Sequence, residues 1–189
     1  GNALWRNEEG LLTENYGEAR RINAGSPEPL WTGGFNTELS WKGISLGIQL
    51  EARYGNKVLN QDRSLFEADG SYGDSNIWKG AMNYWKKPGD TNVLPKPVYN
   101  NSSNSSAIST RYLEDGSYLR IKDITLAYSL PSKWTKKALM SGVRIYASAL
   151  NLYTFHNMNY WDPEHGTSGA TIISYPMTRS MIVGVDITF

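Results

Sequence analysis

Read backward from Phe189 in steps of two, the chain gives Ile187, Val185, Val183 and Met181. The interleaved positions, Thr188, Asp186, Gly184, Ile182 and Ser180, are mostly polar or small. Period-two alternation marks a strand with one apolar face. The same pattern runs over 35–41, where Phe35, Thr37, Leu39 and Trp41 alternate with Asn36, Glu38 and Ser40. It resumes after Lys42-Gly43 with Ile44, Leu46, Ile48, Leu50, Ala52 and Tyr54. Two alternating runs joined by two residues predict a β-hairpin with Trp41 and Ile44 as cross-strand neighbours.

Two further strands change phase within themselves. Over 118–130, Leu119 and Ile121 share one register, and Ile124, Leu126, Tyr128 and Leu130 share the other. A β-bulge near Lys122-Asp123 accounts for such a flip, and so does a strand that changes environment halfway. Over 143–155, Val143 and Ile145 are followed out of phase by Leu150 and Leu152, which places a second flip near Ala149. Short helices are expected around 75–86 and 132–141. The first puts Trp78, Ala81, Met82 and Trp85 on one face between Ser75 and Lys86-Lys87-Pro88-Gly89. The second has Ser132 as its cap and Gly142 beyond its end.

Residues 1–34 show no sustained period and are read as an irregular entry segment. Residues 35–189 carry the strands, at about 35–41, 44–54, 118–130, 143–155 and 180–189, with long connections 55–117 and 156–179. The run 44–54 matters for its length. Ordinary strands have about five or six residues, whereas a strand crossing a bilayer needs about 9–11.

Composition removes several function classes. Nineteen Lys+Arg face eighteen Asp+Glu, so no basic field invites nucleic acid. There is no cysteine, and His156 and His165 are the only histidines, so neither a metal site nor a cofactor is expected. Tyr and Trp, twelve and seven residues, outnumber the four Phe, a bias that suits membrane interfaces and sugar-binding surfaces. No run of about 18 apolar residues predicts a membrane helix. An opening at Gly1 rather than Met reads as a piece of a longer protein.

Six aromatics in the long connections, Trp78, Tyr84, Trp85, Tyr99, Tyr160 and Trp161, are ligand-contact candidates, as stacking platforms for sugar rings or aromatic side chains. The competing account is that they pack their own loops. Asp162-Pro163-Glu164-His165 holds two carboxylates and an imidazole, the makings of an acid–base pair or a metal corner. A solvated turn around Pro163 is the better reading, because no other group completes a site. Asp69–Asp74 lacks the ligand order of a calcium loop. Asn100–Ser106 is low-complexity and carries sequons at Asn100, Asn101 and Asn104. No catalytic residue is assigned, and the chain is not expected to be an enzyme.

Taken in order, "GSPEPLWTGGFNTELSWKGISL" (25–46), "NYWKKPGDTNVLPKP" (83–97), "RYLEDGSYLRIKDITLAYSLP" (111–131), "VRIYASALNLYTF" (143–155), "NYWDPE" (159–164) and "YPMTRSMIVGVDITF" (175–189) resemble the C-terminal end of SusC/RagA-type TonB-linked outer-membrane transporters of Bacteroidetes. The resemblance implies an all-β fold: antiparallel up-and-down strands from the end of a plugged outer-membrane barrel of roughly 22 strands. It implies nutrient import, of oligosaccharides or peptides with glycans favoured, in the outer membrane of a Gram-negative bacterium. Its implied partners are a SusD-like surface lipoprotein, the TonB complex through a plug this chain lacks, and lipid. Met181, Val183, Val185, Ile187 and Phe189 become the lipid-facing register, with Phe189 resembling an assembly signal.

Connection lengths agree with an up-and-down barrel, since short links (42–43 and 131–142) alternate with long ones (55–117 and 156–178). The alternative is a soluble carbohydrate-binding β-sandwich that uses the loop aromatics. For an isolated piece, the apolar face of Ile44, Leu46, Ile48 and Leu50 is expected to be covered by self-association, by back-folding of 1–34 or 55–117, or by detergent.

Overall fold

Alternation along the chain becomes a ladder of paired rows in the computed structural model, which describes residues 1–101, 103–164, 169–171 and 175–189. The strands, in chain order, are β1 (Trp5–Arg6), β2 (Leu12–Thr13), β3 (Trp31–Trp41), β4 (Ile44–Tyr54), β5 (Lys57–Asn60), β6 (Leu113–Asp115), β7 (Tyr118–Ser129), β8 (Gly142–His156), β9 (Ala170–Thr171) and β10 (Ser180–Thr188). Two short α-helices, α1 (Gln61–Phe66) and α2 (Ser132–Thr135), complete the regular elements, together with single 3₁₀ turns. The chain divides into two compact units: 1–26, 58–114 and 168–174 form one, and 27–57, 115–167 and 175–189 the other.

The second unit is a five-stranded sheet in the order β10-β8-β7-β4-β3, with every pairing antiparallel. Register places Trp41, Ile44, Tyr128, Ile145 and Val185 in one row. The next apolar row is Leu39, Leu46, Leu126, Ala147 and Val183. Between them, on the opposite face, lie Ser40, Ser45, Ala127, Tyr146 and Gly184. One face is therefore apolar across all five strands, and the other is polar or small. On the polar face Asp123 accepts hydrogen bonds from Thr125 and Ser148, both at 2.8 Å.

The hairpin turn needs positive φ at both central residues, and Lys42 (φ 49°) and Gly43 (φ 88°) supply it. Gly43 has a second reason to be glycine: a Cβ there would lie 2.8 Å from the Ser129 carbonyl oxygen. The bulge sits at Lys122. Ile121 pairs with Leu50 and Tyr153, Asp123 pairs with Gln49 and Leu150, and Lys122 is the extra residue. Its insertion brings Lys122 and Asp123 in succession to the polar face. On β8 the apolar face continues through Ala147, Ala149, Tyr153 and Phe155, so the flip expected near Ala149 is not a change of face. Leu150 joins the polar-face row of Asp123, and Asn151 takes a left-handed conformation (φ 50°) beside it.

The first unit is built differently. Its sheet runs β6-β5-β9, and β5 pairs with β9 in parallel through Leu59–Ala170 and Asn60–Thr171. Helix α1 starts where the Asn60 side chain accepts the Arg63 N–H at 3.2 Å. Val58, Asn60, Asp62, Tyr112 and Thr171 are buried. The β1–β2 pair forms a separate two-stranded ribbon.

Several expectations are corrected. The described strands form mixed antiparallel and parallel sheets, and none closes into a barrel: β10 and β3 each pair on one side only. The outer-membrane placement that the resemblance implied is corrected with it, since no closed barrel is found among the described strands. Among the described residues no helix is long and apolar enough to cross a membrane, which says nothing of strands. The helix expected around 75–86 is a 3₁₀ turn at Lys79–Met82. Its apolar period is real, but Trp78 is drawn away to Phe66, with ring centroids 4.9 Å apart and its N–H on the Phe66 carbonyl at 3.0 Å. The second helix is also brief: α2 opens at Pro131 with no side-chain cap and passes into a 3₁₀ turn at Lys136–Ala138. The second sheet of a sandwich would bury the apolar sheet face, yet Leu39, Trp41, Met181 and Val183 are exposed.

Candidate functional site

On the polar face above the bulge, one row runs Gly34, Glu51, Arg120 and Thr154. Arg120 is fully buried, at 0% exposure. A guanidinium survives there only if its donors are met by acceptors and its charge by carboxylates. Its Nε donates to Thr154 Oγ1 at 2.9 Å, its Nη1 to Glu164 Oε2 at 2.5 Å, and its Nη2 to Asp162 Oδ1. Asp162 Oδ1 also accepts the Glu164 N–H at 2.8 Å. Residues 162–164 thus form a tight turn about Pro163 that presents both carboxylates to one guanidinium.

The bulge extends this cluster. Lys122 Nζ lies 3.2 Å from Glu51 and 3.1 Å from Glu164. The Tyr118 hydroxyl donates to Glu51 at 2.7 Å, and Arg53 lies 3.9 Å from the same carboxylate. Three cations (Arg53, Arg120, Lys122) and three carboxylates (Glu51, Asp162, Glu164) balance. Burial opposes ionisation of Glu51. Hydrogen bonds from Tyr118 and Lys122, with the charges of Lys122 and Arg53, outweigh it and hold the carboxyl below its ordinary range. Burial, then the bond to Glu51, pushes the Tyr118 phenol well above its ordinary value.

These carboxylates are therefore matched to cations rather than poised for proton transfer. The arrangement clasps the loop after β8 onto the sheet, which is the physical account of the Asp-Pro-Glu signal. His165, the fourth residue of that stretch, lies outside the described residues. Among the described residues no group of three or more acids and imidazoles is placed to hold a metal ion.

The first unit repeats the device in smaller form. Arg63 bonds Glu67 at 2.8 Å and Glu114 at 2.7 Å beside buried Asn60. Asp69 accepts hydrogen bonds from Ser71, Asn101 and Ser105, so the loop discounted as a calcium site is tied by neutral donors.

The six aromatic candidates fall in two different units. Trp78, Tyr84, Trp85 and Tyr99 lie in the first unit, and Tyr160 and Trp161 in the second. Trp78 stacks on Phe66 as described. Lys86 lies 5.5 Å over the Tyr84 ring, and the Trp85 N–H bonds the Leu94 carbonyl at 2.8 Å. Tyr99 is 73% exposed, Tyr160 is exposed, and Trp161 is half-buried. Met181, Val183, Val185 and Ile187 share the apolar face of β10, and Phe189 follows its end.

Sequence reasoning missed Arg120, Lys122, Glu51 and Tyr118. The available signal was a run of charged residues along the polar registers of two adjacent strands, facing an acid-Pro-acid loop.

No family model matches the chain. Curated relatives do. It is 31% identical over 182 residues to TonB-dependent receptor P3 of Formosa agariphila, covering 90% of this chain and 17% of that protein. It is 27% identical over 203 residues to TonB-dependent receptor P26 of the same organism, covering all of this chain and 20% of that one. Solved structures of the RagAB peptide importer, in closed-closed and open-open states, superpose with TM-scores of 0.82 and 0.83 at 29% identity. They cover the whole of this chain and 21% of theirs. The chain is homologous to part of the SusC/RagA-type TonB-dependent receptors. It spans about a fifth of the length of the relatives it matches.

Proposed function

We propose that the chain is the C-terminal part of a TonB-dependent importer whose cargo is peptide. The observation that carries the reading is likeness over the whole of this chain, and 21% of theirs, to the RagAB peptide importer structures at 29% identity. Oligosaccharide cargo, favoured by the sequence, rested on loop aromatics, and Trp78 is already committed to Phe66. Tyr99 and Tyr160 are the candidates best placed for cargo contact, because both are exposed on connections between strands. A SusD-like surface lipoprotein and the TonB complex are the proposed partners. The Arg120 cluster serves the importer by fixing the loop that bears Tyr160 and Trp161.

The test is growth of the host with the parent gene deleted, on peptides or on oligosaccharides as the limiting nutrient. Loss on peptides, restored by the intact gene, is the expected result. Loss confined to oligosaccharides overturns the cargo assignment.

A further inference from the structure

Within the first unit, residues 3–24 and 105–113 enclose a cavity of about 560 Å³, in the size range of small-ligand sites. Its walls carry Arg6, Arg20, Arg21 and Arg111, and no Asp or Glu lines it. Trp5 and Tyr16 form an aromatic wall, their rings edge-on with centroids 5.5 Å apart. The two enclosing segments are tied together, since the Tyr16 hydroxyl donates to the Ile108 carbonyl at 2.7 Å. Arg21 is braced by donating to that hydroxyl at 3.1 Å.

Arg111 is the informative residue. Its Nη1 donates to the Ser105 carbonyl at 3.3 Å, while its Nη2 is buried with no hydrogen-bond partner. A buried donor left unmet is destabilising, the more so when it is charged. Elsewhere this chain pairs its buried guanidinium groups with carboxylates: Arg120 with Asp162 and Glu164, Arg63 with Glu67 and Glu114. At this cavity, among the described residues, no carboxylate pairs with any of the four arginines.

We propose that the cavity binds a carboxylate-bearing ligand, with Arg111 receiving the carboxylate and Trp5 and Tyr16 its apolar body. A planar guanidinium and a carboxylate match as a two-pronged pair. Two sources offer this chemistry, the C-terminus of a peptide and a uronic acid sugar. The site does not depend on which nutrient the importer carries.

The experiment is calorimetric titration of the protein as its gene encodes it. The probes are the tripeptide Ala-Leu-Phe, its C-terminal amide, and trigalacturonate. The tripeptide acid is expected to bind, with amidation and Arg111→Gln each weakening it at least tenfold. Arg20→Gln, whose side chain carries no hydrogen bond that the fold uses, provides a second reading should Arg111→Gln fail to fold; it is expected to weaken binding several-fold. Trigalacturonate binding with the same arginine dependence, in place of the peptide, supports the site and assigns the carboxylate to sugar. Equal binding of acid and amide, indifference to both substitutions, or no binding of acid or sugar at millimolar concentration overturns it. With growth on peptides lost on deletion and restored by the intact gene, those last results overturn the cavity alone; growth loss confined to oligosaccharides overturns only the cargo.

Discussion

Arg120 and Asp162 form an ion pair across 42 residues of sequence, with the arginine wholly closed to solvent. One strand thereby holds the turn that follows its neighbour, through charge rather than apolar contact. Removing the cation leaves Glu164 with Lys122 alone and takes from Asp162 the ion pair it makes with Arg120. Arg120→Gln is expected to destabilise the protein by about 3–5 kcal/mol, as breaking buried pairs does. Arg120→Lys should recover part of that loss, because it restores charge without the two-pronged geometry. Chemical unfolding of the three proteins checks the order.

Acid should loosen the same cluster. Glu51 titrates lower in the folded chain than its ordinary value of 4.5, so the unfolded chain takes up protons first as pH falls. The stability it contributes is present above pH 4.5 and is lost as pH drops through the folded value. Glu51→Gln should flatten the acid limb of a melting-temperature profile between pH 6 and pH 3. A limb of unchanged steepness counts against this role for Glu51.

Tyr118 works in the opposite direction. Its phenol is raised in the fold above the ordinary 10, so its contribution is full below pH 10 and is lost as pH climbs beyond it. Tyr118→Phe removes the hydrogen bond to Glu51 at every pH, at a cost of about 1 kcal/mol or more. It should also make stability less sensitive to alkali, read from unfolding midpoints at pH 8 and pH 11.

Gly43→Ala tests the hairpin turn. The substitution combines positive φ with a Cβ 2.8 Å from a backbone oxygen, and neither is easily relieved. A loss of more than about 1 kcal/mol is expected, against a few tenths for an exposed strand substitution.

The aromatic candidates should separate by assay. Trp78→Ala should lower stability, since it breaks a ring stack and leaves Phe66 uncovered. Tyr99→Ala should leave stability within about 0.5 kcal/mol, and Tyr99→Ala and Tyr160→Ala should each slow peptide uptake by the complete importer. Unaltered uptake in the Tyr99 and Tyr160 double variant would remove both from the cargo path.

Legibility in the sequence followed the range of the physics. Alternation from Ile44 to Tyr54 could be read because side-chain period is a local property. The Lys42-Gly43 turn could be read for the same reason, and so could the bulge at Lys122, which shows as two polar residues where one belongs. Closure of the sheet was not legible, because a free edge is a statement about absent neighbours, and alternation is silent on those. The parallel pairing of Asn60 with Thr171 joins positions too far apart for any local period. The short helix around 75–86 failed for a related reason: a tertiary stack on Phe66 outbid an apolar face only a few residues long. The Arg120 cluster needed the register of β4 and β7, the bulge and the turn at Pro163 together, and only the last two leave a local mark.

The bulge has a consequence in arc length. Between the row containing Gln49 and the row containing Leu50, β4 has no intervening residue, β7 has Lys122, and β8 has Asn151 and Leu152. At about 3.3 Å per residue, each strand outward travels roughly one residue farther than the last. This is how the lanes of a running track differ around a curve. The strands above and below therefore fan about the inner lane, β4. The longer outer lanes take up their extra residues locally, so Ile121 and Tyr153 still meet the apolar row of Leu50 beyond the curve.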